Sequence, residues 1–70
     1  MSEEIISKMV ENKLLTDNLI LMHDLELLVN SNEEGKVKVN KITAILEKLS
    51  INELSLIKWK TLIEKEKDDN

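Results

Sequence analysis

Seventy residues and 8.1 kDa make one domain, 1–70, near the size at which a single core barely suffices, and the chain has no cysteine and one histidine, so disulfides, thiolate zinc sites and imidazole clusters are excluded. A 41% hydrophobic fraction with only 1% aromatic, no proline and a single glycine argues for aliphatic helix-on-helix packing and against a multi-stranded sheet, which would need several tight turns. The net charge of −4 hides an asymmetry, because residues 1–35 carry two Lys against eight acids and residues 36–70 carry eight Lys against six. All ten basic residues are Lys, so the arginine forks that read guanine or clamp phosphate are missing.

In chain order, Ser2 can cap a first helix over about residues 3–14, with Glu3 and Glu4 at its positive end and Ile5, Ile6, Met9, Val10 and Leu14 at helical spacing. Leu14 to Val29 is the most apolar stretch, ten residues of sixteen, and forms a second helix over about 17–30. On a helical wheel Leu14, Leu21, Leu25 and Leu28 fall on one side, Leu15, Leu19, Met22 and Val29 on another, and Ile20 and Leu27 fill a third sector. Such a helix asks for burial on nearly every side, so the expected architecture is a compact all-α bundle with this helix at its centre. Thr16, Asp17 and Asn18 offer cap chemistry for a break between the two helices; without proline or glycine, one continuous helix is the alternative.

Asn30 to Gly35 reads as a loop and Lys36 to Val39, alternating charge with valine, as a short extended segment. The twelve residues from Asn30 to Lys41 carry oxygen side chains at Asn30, Asn32 and Glu34, glycine at the sixth place and Val37 at the eighth. In that pattern residues 19–49 resemble a degenerate EF-hand-like helix-loop-helix, which implies helices on both flanks. Lys41 stands where that family has its bidentate glutamate, so the resemblance implies no calcium binding.

Asn40 can cap a third helix over about 40–49, striped by Ile42, Ile45, Leu46 and Leu49. Ser50-Ile51-Asn52-Glu53 matches the S-x-x-E capping box and predicts a restart, giving a fourth helix over about 51–66 and a charged tail, 65–70, that frays.

No constellation of nucleophile, base and oxyanion donors can be assembled, and His23 has too few companions for metal or acid–base work, so neither an enzyme nor a cofactor is expected. The N-terminus is acidic and the longest unbroken apolar run, Leu19 to Met22, is far too short to span a membrane, which points to the cytoplasm. The expected function is that of a small acidic protein–protein interaction module, a regulator, inhibitor or assembly factor on a larger protein. The Lys, Asn, Ile and Glu richness hints at an AT-rich genome, which a phage or mobile element would fit.

Trp59, the lone aromatic, is the first candidate for the partner surface, with Leu56, Ile63, Lys58 and Lys60 beside it in sequence. Small size, the absence of a staple and an all-round apolar helix predict a homodimer. The alternative is a nucleic-acid-binding transcriptional regulator using the Lys-bearing C-terminal half, where the third and fourth helices resemble a helix-turn-helix. Acidity and missing arginines count against it.

Overall fold

The computed structural model describes residues 2–68. The all-α class holds, but the chain forms two helices, not four: α1, Glu3–Val29, and α2, Gly35–Asp68, folded back on each other as an antiparallel hairpin. No strand occurs among the described residues. At 54 × 17 × 13 Å the hairpin is a rod, and the length matches the ~51 Å that a 34-residue helix spans at about 1.5 Å per residue.

Both predicted breaks within the helices are absent. At Thr16 to Asn18 the helix runs on: Asp17 turns its carboxylate to Lys13 one turn back, 3.3 Å away, instead of capping, and Asn18 lies half-buried. The continuous-helix alternative is the one observed. At Ser50 to Glu53 the capping box is also overridden, and both side chains stay exposed within helical backbone. The physical reason is the seam. Half-buried or buried positions on α2 fall at Lys38, Ile42, Ile45, Leu49, Asn52, Leu56, Trp59 and Ile63, alternating four and three residues apart across the supposed boundary, with Ser55 half-buried beside them. A seven-residue repeat of this kind keeps one stripe facing a partner helix, and breaking it would misplace everything beyond. Cap chemistry permits a helix start; with no proline or glycine to enforce it, the continuous backbone ladder wins.

The extended segment expected at Lys36 to Val39 is instead the first turn of α2, which begins at Gly35 with φ +71°, a value that favours glycine. The connection, residues 30–34, is tied closely. Ser2 Oγ accepts from the Ile5 amide to cap the start of α1, and at its end the amides of Asn30 and Ser31 donate to the carbonyls of Glu26 and Leu28. No basic residue of α1 itself stands in its last turn; Lys38 of α2 fills the role, its Nζ donating to the carbonyls of Val29 at 2.9 Å and Ser31 at 3.2 Å. Lys41 pairs with Glu33 at 2.6 Å across the same turn. At the other end, α2 continues as helix through Lys65 and Glu66; Asp69 and Asn70, the end of the tail expected to fray, lie outside the described residues.

The compact bundle is also corrected. Leu49, 8% exposed, is the one buried hydrophobic side chain among the described residues, and α1 buries none fully. The Leu14 to Val29 stretch is not wrapped by other helices: Leu14, Leu21, Leu25 and Leu28 meet α2 half-buried, while Leu19 is 72% exposed and Ile20, Met22, Leu27 and Val29 also face outward. A single neighbour can cover only one stripe of a helix.

Candidate interaction surface

The open end of the hairpin is closed by Trp59, whose Nε1 donates to Ser7 Oγ at 3.3 Å, with both residues half-buried. That contact, together with Lys38 on Val29 at the turn, fixes the antiparallel register and puts Leu49 level with Asp17 and Asn18 midway along α1. The ring is neither a core plug nor a free surface group. One side of it joins Val10, Leu14 and Leu62 on the floor of a groove of about 510 Å³, and Lys13 and Lys58, one from each helix, stand with Ser55 on the rim. Apolar floor and cationic rim together suit an amphipathic helix carrying acids beside its apolar stripe.

The sequence-predicted partner residues are thus divided. Trp59 and Lys58 share the groove, Leu56 sits half-buried in the seam, Ile63 lines a different depression with Glu3, Glu4, Ser7, Lys8 and Glu11, and Lys60 is exposed. Val10, Lys13, Leu14 and Leu62 complete the groove and were not among the predicted site residues. The seven-residue spacing brings Ser55 and Leu62 onto one row and Leu14 onto the α1 seam, but only the antiparallel register places the α1 residues beside Trp59.

The two long faces of the hairpin differ. Along the groove side, a second hollow contains Asp17, Ile20, Leu21, Lys48 and Asn52, so charges of both helices run down its middle. The opposite side carries two exposed rows at seven-residue spacing: Lys8, Leu15, Met22 and Val29 on α1, and Val39, Leu46, Glu53 and Lys60 on α2. Charge in both rows gathers toward the open end, and the turn-proximal two thirds is aliphatic. At the edge of this face Asn18 Oδ1 is shielded from solvent with no hydrogen-bond partner among the described residues.

His23 is exposed, and among the described residues no three His, Asp or Glu side chains converge as a metal-binding group. No helix among them is long and apolar enough to cross a membrane. Compared with protein families, with curated proteins and with solved structures, the chain finds no match.

Proposed function

We propose that this chain is a small acidic protein–protein interaction module acting in the cytoplasm as a regulator, inhibitor or assembly factor on a larger protein, with a phage or mobile-element origin fitting its composition. The observation that carries this reading is the imbalance of its surface: one buried hydrophobic side chain against sixteen exposed large ones among the described residues. Scattered exposed leucines are ordinary, but aliphatic rows and a tryptophan-floored groove on a rod this thin are what interaction surfaces present. A larger protein docks an acidic amphipathic helix in the Trp59 groove between Lys13 and Lys58, and a second copy of the chain is a further partner for the aliphatic surface.

The nucleic-acid reading draws less support. The lysines of α2 are divided: Lys38 and Lys41 turn back onto the loop, Lys48 and Lys58 stand on the groove side and Lys60 faces the other side.

Affinity capture from a native lysate tests the proposal with three baits: wild type, Leu62→Glu in the groove and Ile57→Lys on exposed α2 surface outside it. The same partner should be recovered with wild type and Ile57→Lys and fall at least about tenfold with Leu62→Glu, the effect of losing about 1.4 kcal/mol at a contact. Equal recovery with all three baits would sink the groove as docking site, and salt-sensitive retention of generic duplex DNA would favour the competing reading.

A further inference from the structure

We infer that a second copy of this chain packs on the face carrying Leu15, Met22, Val29, Val39 and Leu46, so that two hairpins close into a four-helix bundle and leave both Trp59 grooves outside. The inference rests on the reading that the exposed apolar surface serves protein contact, and it adds which surface and which partner. Two observations carry it.

The first is area. The chain has 5814 Å² of accessible surface, whereas a folded monomer of this mass typically exposes about 4,500 Å², leaving an excess of roughly 1,300 Å². Covering that excess on both copies would bury on the order of 2,600 Å² in total, within the range of obligate homodimers and well above a standard transient interface.

The second is the distribution of charge. A two-fold interface sets a patch against its own image, so a patch of one sign repels itself. The Trp59 groove side is charged down its middle, with Lys13 paired to Asp17 and with Lys48 and Lys58 beside them, so self-pairing there would desolvate those charges. The opposite face is uncharged along Leu15, Met22, Val29, Val39 and Leu46, and its open-end margin mixes Lys8 and Lys60 with Glu53, a combination that tolerates its own copy.

Sedimentation equilibrium of the full chain should show the mass rising toward twice 8.1 kDa from about 1 to about 100 µM, with Leu46→Glu held at 8.1 kDa and Ile51→Glu, on the groove side in the row of Lys58, still dimerising. Because Leu46→Glu could unfold instead, the second measurement uses thiol labelling, made simple by the absence of native cysteine. A cysteine at position 46 (Leu46→Cys) should become at least about tenfold slower to alkylate over that concentration range as the equilibrium shifts to dimer, and one at position 51 (Ile51→Cys) should not change. A wild-type mass of 8.1 kDa at every concentration overturns the inference, yet leaves the interaction-module reading intact if Leu62→Glu still loses the captured partner. Protection at 51 equal to or greater than that at 46 overturns the choice of face.

Discussion

The turn end and the open end of this hairpin share one backbone geometry and are held together in different ways. Toward the turn the seam is aliphatic apart from Lys38, Leu21, Leu25 and Leu28 standing against Ile42, Ile45 and Leu49, and it is finished by the Lys38 and Lys41 contacts across a five-residue connection. Toward the open end Ser7, Val10, Glu11 and Leu14 meet Asn52, Ser55, Leu56, Trp59 and Ile63, and the Ser7 to Trp59 bond joins residues 52 apart. Apolar burial and short loop closure favour the first region; the second forms cheaply only once the first has aligned the helices. The hairpin is therefore expected to zip from the turn and to open from the free ends, which leaves the Trp59 groove on the more adaptable half.

The strongest way to break that contrast is at the border. Leu49 stands where the aliphatic seam meets the polar one and is the residue the structure buries most. Leu49→Ala should destabilise by about 3 kcal/mol, a large fraction of what a 70-residue chain can hold, and both halves should melt together. Thermal unfolding followed by circular dichroism measures it. A loss below about 1 kcal/mol, comparable to a half-exposed leucine, would mean that the border residue is not the seam's anchor.

A smaller and more local effect is expected at the turn. A Cβ at Gly35 would meet no atom within 4 Å, so space is not the constraint there; the backbone is, with φ at +71°. Gly35→Ala should cost about 1–2 kcal/mol from left-handed strain, and Gly35→Asn less, because asparagine tolerates that region. Native-state hydrogen exchange sharpens the comparison: protection should fall near residues 25–45 first, reversing the usual order in which the open end exchanges sooner. Unchanged protection at the turn in Gly35→Ala would show that the two ends are not held independently.

Much of this could be read from the residues. The aliphatic palette and missing prolines specify helices, Ser2 and Glu3 mark the first start, and Leu14, Leu21, Leu25 and Leu28, grouped on one side of the wheel, are the α1 stripe that meets α2. The number of helices was less legible, because cap residues at 16–18 and 50–53 are local signals. What overrides them is a long-range repeat whose polar members, Lys38 and Asn52, hide it from a search for apolar stripes. Trp59 was readable as special, but the groove was not, since Val10, Lys13 and Leu14 reach it only through the antiparallel register set at a loop far away in sequence.

The smallest predicted effect concerns the capping box itself and turns on its sign. If Ser50 capped a helix beginning at Ile51, Ser50→Ala would cost about 1 kcal/mol. In the continuous α2 the Ser50 side chain is exposed and the substitution replaces a modest helix former by the best one, which should stabilise by a few tenths of a kcal/mol. Paired melting curves of wild type and Ser50→Ala separate the two cases by direction, not by size. A fall in melting temperature would restore the break between residues 49 and 51, and with it a shorter arm at the open end. A rise would confirm that the seven-residue seam, continuous from Lys38 to Ile63, decides the helix against its own local stop signal.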